Sequence, residues 1–405
     1  MVTKMRIAVS VGRCSLAVGL ILGIVLAQGC ATPPKRQPPP ADQYEQARIA
    51  GIPKARYWGD EVPPFAEDMA GMSPDELQTR YPALVNRPMT LLAISGGGSN
   101  GAFTSGLLNG WTAAGTRPEF SIVTGISTGG LIAPFAYLGP EYNEKLKEVY
   151  TTITNDDVFV ERGVGGLIEI DAVADSAPLR TTIAKYIDGS VMQAIADEYR
   201  RGRILLIGTT NLDAARPVVW NIGEIAISGR PGALDLIRDV MLASASIPVA
   251  FPPQMFDVEI DGQRYDELHV DGGVTRQSFI FSFNVDDKAL TERLSTVGQT
   301  RVFVIRNARL VPQWKAVERH VTDIASRSSS SMIRTQGIGD LYSEYAGATN
   351  WGFDFNYAYI TSAFDPGVDD EGFNPEYMGK LYQFGYDLGR NGDPWLKAPP
   401  GLGPN

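Results

Sequence analysis

Apolar runs cut by glycine turns set the pattern of this chain. Leu91, Leu92, Ala93 and Ile94 lead straight into Ser95-Gly96-Gly97-Gly98-Ser99-Asn100-Gly101. Phe103, Leu107, Leu108 and Trp111 then recur at helical spacing, so the glycines join a strand to a helix N-terminus. A second run, Phe120 to Thr124, ends in Gly125-Ile126-Ser127-Thr128-Gly129-Gly130, ahead of a helical stretch from Leu131 to Leu138. Ile204 to Thr210 reads as a third buried strand and Val218 to Ile222 as a fourth. Leu234, Ile237 and Met241 mark one face of a helix that stops at Ile247-Pro248, because the residue before a proline disfavours the helical conformation. Phe256 to Ile260 and Arg264 to Val270 flank Asp261-Gly262, a two-residue hairpin signal. The second of these strands delivers Asp271-Gly272-Gly273 at its end, and Arg301 to Ile305 is a further strand. Strands interleaved with helices predict an α/β sheet with its sites at the strand C-terminal ends.

The two ends read differently. Lys4, Arg6 and Arg13 precede an uncharged, mostly apolar stretch from Cys14 to Ala27. That stretch is shorter than the roughly 20 residues a membrane-spanning helix needs, so it reads as a signal peptide. It ends Leu26-Ala27-Gln28-Gly29-Cys30, which resembles the lipobox of bacterial lipoproteins and makes Cys30 the lipid-bearing first residue. Residues 1–29 are therefore expected to be the signal. Residues 30–88 are expected to be a lipidated, proline-rich tether and lead-in, with the core beginning near Met89. Within that segment Ser73-Pro74-Asp75-Glu76 carries the marks of a helix start. Beyond Val311, Trp314, Val317, Val321 and Ile324 predict a helix, while Ser328 to Ser331 fits a loop or a helix interior equally. Trp351, Phe353, Phe355, Tyr357 and Tyr359 alternate as one face of a strand, packed on the core. Residues 311–405 are expected to form a C-terminal extension packed on the catalytic core of 89–310.

The chain has 405 residues, 44% of them hydrophobic, enough for a full core. Its net charge is −10, and loss of the three basic residues of the signal takes it to −13. That balance argues against nucleic acid as a partner and against attraction to anionic lipid headgroups, so membrane proximity would rest on the lipid anchor. Once Cys14 leaves with the signal, Cys30 is the one remaining cysteine and no disulfide is available. Ala31 after Cys30 lacks the aspartate linked to inner-membrane retention, which points to an exported protein on the outer membrane facing the periplasm.

Three consecutive glycines leave main-chain N–H groups open to a ligand, beside the free N–H groups of the following helix, so the first turn is built to hold negative charge. The second turn is G-x-S-x-G between a strand and a helix, the pattern of a nucleophile elbow that pushes a serine hydroxyl out of the sheet edge. Ser127 then needs a base. The chain has two histidines, His269 and His320, and a Ser-His arrangement with either is one reading. Asp271, at the end of a strand and before two glycines, is the other; an Asp-Gly pair also forms ordinary turns. Gly96-x-Gly98-x-x-Gly101 with Glu119 further on also satisfies a dinucleotide-binding fingerprint, which leaves Ser127 and Asp271 without a role.

Taken together, Gly96-Gly97-Gly98-Ser99-Asn100-Gly101, Gly125-Ile126-Ser127-Thr128-Gly129 and Asp271-Gly272-Gly273 resemble the patatin-like phospholipases. Ala243-Ser244-Ala245-Ser246-Ile247-Pro248 with Phe251-Pro252-Pro253 is similar to the segment before that family's Asp-Gly motif. The resemblance runs from Met89 to Asn307. It implies a three-layer α/β/α sandwich with a mainly parallel central sheet. It further implies a Ser-Asp dyad, with Ser127 the nucleophile, Asp271 the base, and Gly96, Gly97 and Gly98 the oxyanion hole. Gly101, Gly125, Gly129, Gly272 and Gly273 would support the motifs. The implied substrates are acyl esters of membrane phospholipids or lysophospholipids, with no metal or cofactor in the chemistry. One position departs: Asn100 stands where the family usually carries Arg or Lys, which bears on phospholipid preference more than on ester hydrolysis. A general carboxylesterase, and a non-catalytic lipoprotein using the same fold as a binding module, are the alternatives. Neither the oligomeric state nor chain-length preference is legible.

Overall fold

A computed structural model describes residues 35–162, 171–280, 287–312, 314, 316–368, 372–392 and 394–402. The expected signal peptide and Cys30 lie outside the described residues.

The strands are β1 (Arg56–Trp58), β2 (Thr90–Ile94), β3 (Ile122–Ile126), β4 (Val160–Glu161), β5 (Ala174–Asp175), β6 (Ile204–Asn211), β7 (Arg216–Asn221), β8 (Gln254–Ile260), β9 (Gln263–Asp271), β10 (Arg301–Arg306) and β11 (Asp354–Tyr359). Nine of them build one sheet, with β4 and β5 forming a separate short ladder. Across the sheet the order is β1-β7-β6-β3-β2-β10-β11. The run from β6 to β11 is parallel throughout. β7, β1 and the β8–β9 hairpin add antiparallel pairs at the β6 side. The hairpin turns at Asp261 and Gly262, both with positive φ (48° and 80°), as a two-residue turn between twisted strands requires.

Five helices position the site: α1 (Gly101–Ala113), α2 (Thr128–Leu138), α3 (Ala233–Ser244), α4 (Val321–Asn350) and α5 (Pro375–Arg390). Alternate residues of each central strand feed two separate cores, the behaviour of a sheet covered on both faces. Leu92, Ile94, Val123, Leu205 and Ile207 join the core under α1, α2, α3 and α5. Leu91, Ala93, Ile122, Ile204 and Leu206 join the opposite core, with residues of the helices Pro64–Gly71, Pro74–Arg80 and Asp287–Arg293 and of α4. The result is a three-layer α/β/α sandwich around a mostly parallel sheet.

Residues 37–88, expected as part of the tether and lead-in, pack on the sandwich. Arg56–Trp58 pairs with β7, and Ala47, Ile49, Ile52, Phe65, Met69 and Leu77 are buried in the two cores. The proline run signals an extended chain, but the apolar residues after it are spaced irregularly and gave no periodic signature. The Ser73 helix start is a full capping box with Glu76.

The C-terminal region is locked on by α5. Gly106 and Gly110 of α1 lie against the backbone of α5, and Gly385 and Gly389 of α5 lie against the backbone of α1. A Cβ on Gly106 would stand 1.9 Å from the Tyr382 carbonyl oxygen, so this approach excludes any side chain. Ser328–Ser331 lies inside α4. The helix expected from Trp314 begins only at Val321; Trp314 itself is 90% exposed. Helical spacing alone does not fold a segment that has no core to receive its apolar face. Phe353, Phe355 and Tyr357 do share one buried face around β11, with Tyr359 packed beside them.

Candidate active site

The register of β6 brings the two motifs together. β3 pairs with β6 up to Ile126 opposite Gly208; from Thr209 onward β9 takes over the same edge, with Asp271 opposite Thr209. Ser127 follows Ile126 directly, so Ser127 and Asp271 meet where one strand replaces the other. Gly272 is required at this junction: a Cβ there would lie 2.6 Å from the Gly208 carbonyl oxygen.

Ser127 has φ 54° and ψ −127°, a conformation that costs a non-glycine residue on the order of 1–3 kcal/mol. It is the N-cap residue of α2, so the helix starts directly behind it. Its N–H donates to Ser244 Oγ (2.9 Å), which in turn donates to the Gly208 carbonyl (2.7 Å). The turn is compressed on both sides. A Cβ on Gly125 would meet the Gly129 carbonyl oxygen at 2.3 Å, and one on Gly129 would meet that of Ile94 at 2.2 Å. Gly101, at the start of α1, packs against Tyr150.

Asp271 is buried. Burial pushes its carboxyl up to about 7, against a hydrogen bond from the Ser127 hydroxyl and one from the Gly273 N–H, the latter at 2.7 Å. A carboxyl in that range is a far stronger base than a solvated one and is still ionised in part at neutral pH.

The three glycines of the first turn are not equivalent. The Gly96 N–H donates to the Gln277 carbonyl (3.1 Å), so Gly96 shapes the loop and offers no donor. The N–H groups of Gly97 and Gly98 donate to no protein acceptor among the described residues, and both glycines line the cleft that holds Ser127 and Asp271. Gly97 has φ 156°, and its Cβ would stand 2.4 Å from the Asn307 carbonyl oxygen.

Gln277 and Asn307 carry no motif and were missed in the sequence. Gln277 binds the two turns to each other: its carbonyl takes the Gly96 N–H and its Nε2 donates to the Gly273 carbonyl (2.8 Å). Asn307 holds the foot of the glycine turn, donating from its N–H to Ser95 Oγ (2.9 Å) and from Nδ2 to the Ser95 carbonyl (2.9 Å), and accepting from Thr104 (2.6 Å).

Neither histidine takes part. His269 is fully buried between Trp220 and Phe256, with Nδ1 on Thr209 (2.9 Å) and Nε2 on Glu267 (3.1 Å). Burial drives its pKa down, against the Glu267 carboxylate, so the ring is neutral. Glu267 is itself held at about 2: burial raises it, but Arg56 and His269 outweigh burial. The Arg56–Glu267–His269 chain ties β1 to β9 and is structural. His320 is exposed, at the N-terminus of α4, beside Asp323 (3.2 Å). Glu119 precedes β3, at the opposite sheet edge from the glycine turn, and pairs with Arg201 (3.4 Å), so it is in no position to meet a nucleotide held there. Among the described residues no group of three or more His, Cys, Asp or Glu side chains is gathered to hold a metal ion.

Two spaces adjoin Ser127. One is an open cleft of about 550 Å³ that reaches Asp271, Gly97, Gly98 and several arginines. The other is almost wholly apolar, lined by Leu131, Phe135, Ile183, Met241 and Phe251 among others.

Fold and site define a class: an α/β/α sandwich with a strained strand-to-helix serine beside a buried aspartate and a bare glycine turn. Residues 92–283 match the family model described as patatin-like phospholipase. No curated protein matches the chain. Among solved structures, VipD from Legionella pneumophila is similar at 11% identity with a TM-score of 0.32, a likeness too weak to bear on function. It extends over 75% of this chain, which spans 66% of the VipD chain.

Proposed function

We propose that this chain hydrolyses acyl esters of membrane lipids through Ser127 and Asp271. The observation that carries the proposal is Ser127 next to the buried Asp271 carboxyl, at the point where β9 replaces β3 along β6, in one cleft with the open N–H groups of Gly97 and Gly98. Asp271 takes the hydroxyl proton as Ser127 Oγ attacks the ester carbonyl. Gly97 and Gly98 hold the oxyanion, with the N-terminus of α2 adding favourable potential. Asp271 passes its proton to the leaving alcohol, then takes one from the water that attacks the acyl carbonyl, and returns it to Ser127 Oγ as the free acid leaves. The apolar space beside Ser127 suits the acyl chain. Its walls come from α2, α3 and the segment after α3, together with the helices Asn143–Thr152 and Ala177–Tyr186. We further propose that the protein is exported and anchored through a lipidated Cys30 on the outer membrane, which brings the cleft to its substrate. Among the described residues no helix is long and apolar enough to cross a membrane.

The test is mass spectrometry of products from mixed lipid vesicles. Release of free fatty acid by the purified protein, abolished in Ser127→Ala, supports the proposal. No release from any acyl ester by the folded protein overturns it in favour of a binding module.

A further inference from the structure

Of the four arginines that line the cleft in front of Ser127, Arg327 of α4 is already engaged by other groups; the remaining three, Arg306, Arg309 and Arg334, are not used by the Ser-Asp chemistry. Arg306 ends β10, Arg309 lies just beyond it, and Arg334 comes from α4. Their hydrogen bonds go to main-chain carbonyls. Arg309 donates to Thr361 (3.2 Å) and Phe364 (2.7 Å), Arg334 to Leu310 (3.2 Å), and Arg306 to Arg334 (3.2 Å). A carbonyl oxygen orients a guanidinium without cancelling its charge. Each guanidinium has five N–H donors, so donors remain for a ligand. Among the described residues none of the three forms an ion pair; Asp340 and Glu344 of α4 act on Arg306 only at longer range.

Three like charges in one cleft repel one another, in a chain whose net charge is −10. Walls of low dielectric concentrate that field on whatever enters. The glycine turn adds no cation of its own: Asn100 is neutral and accepts from Tyr377 (2.7 Å), a residue of α5. The positive charge of the site is thus supplied by the segment after β10 and by α4. Guanidinium groups match the oxygens of a phosphate, to which they make strong charge-assisted hydrogen bonds.

We propose that Arg309 and Arg334, with Arg306 beside them, form a phosphate subsite of this cleft, so that the ester presented to Ser127 is carried on a phosphorylated glycerol. The acyl chain then occupies the apolar space while the phosphate occupies the arginine wall. This rests on the reading of Ser127 as the nucleophile, and the test is arranged to separate the two.

Two substrates with one acyl chain, 1-oleoyl glycerol 3-phosphate and 1-oleoyl glycerol, are compared in the full-length protein. The ratio of kcat/KM for the phosphorylated over the neutral ester is expected to fall about 10- to 100-fold in Arg309→Gln/Arg334→Gln, through KM. Arg309→Lys/Arg334→Lys is expected to recover part of it. An unchanged ratio in the folded Gln variant overturns the subsite. If the double variant does not fold, Arg334→Gln, which gives up one main-chain bond, replaces it. Binding is read independently of turnover by calorimetry on Ser127→Ala with glycerol 3-phosphate and with inorganic phosphate. Binding of glycerol 3-phosphate that the Arg→Gln changes abolish upholds the subsite even if no ester is cleaved. Equal binding of inorganic phosphate reduces it to a general anion site and overturns the headgroup assignment.

Discussion

Replacing Asp271 with Asn removes a charge that the fold holds at a cost. The carboxyl is buried and titrates near 7 instead of near 3.8, because burial disfavours the ionised form more than the Ser127 and Gly273 hydrogen bonds favour it. At about 1.4 kcal/mol for each tenfold change, that difference corresponds to about 4 kcal/mol. The sign follows from linkage. A carboxyl whose folded pKa is raised adds stability that is full below the unfolded value near 3.8 and is lost as pH rises through about 7. Asn does not titrate, so the stability of Asp271→Asn relative to the wild type should climb by about 4 kcal/mol between pH 4 and pH 8, about 2 kcal/mol of it between pH 5 and 7. Glu344, also raised by burial, to about 8, is common to both proteins and drops out of the difference. Urea denaturation at a series of pH values measures this directly. Ester hydrolysis should move in step: kcat/KM of the wild type rises with pH along a limb centred near 7 as the base ionises. A stability difference flat in pH, or an activity limb near pH 4, would refute the reasoning, because either result places Asp271 in contact with water.

Ser127→Gly should remove all hydrolysis and raise stability by about 1 kcal/mol, since glycine adopts positive φ without the penalty that serine bears; thermal melting checks it, and a loss of stability counts against strain at the turn. His269→Ala should lower the melting temperature, by removing a buried hydrogen bond to Glu267 and leaving a cavity between Trp220 and Phe256, yet leave the folded fraction reactive toward an active-serine probe; a stable but unreactive variant would revive the histidine as base. Leu131→Trp should fill the apolar space and shift p-nitrophenyl ester preference toward short acyl chains, by about tenfold in the ratio of octanoate to butyrate; an unchanged ratio would remove that space from the acyl path.

Much of the sandwich was legible because its central strands are continuous apolar runs ending in glycine turns, a pattern tied to buried parallel strands. Ser127 and Asp271 were legible because each stands at a turn where glycine is sterically compelled. Gly96 was read as equivalent to Gly97 and Gly98, since nothing in three identical residues tells which N–H is already spent on Gln277. Gln277 and Asn307 act through main-chain contacts with turns distant in sequence, which no local spacing reveals. The arginine wall was illegible for the same reason: Arg306 and Arg334 lie on a strand and a helix that meet only after folding. Residues 37–88 were read only as part of a proline-rich tether and lead-in, because a three-residue strand such as Arg56–Trp58 leaves no period to detect.

The most direct measurement is intact mass spectrometry of the folded protein after exposure to a fluorophosphonate, with peptide mapping of the adduct. One adduct per chain is expected, located on Ser127, absent from Ser127→Ala and formed at least about 100-fold more slowly in Asp271→Asn. An adduct on any other residue, or undiminished labelling without the Asp271 carboxylate, would contradict a Ser127–Asp271 pair as the reacting groups.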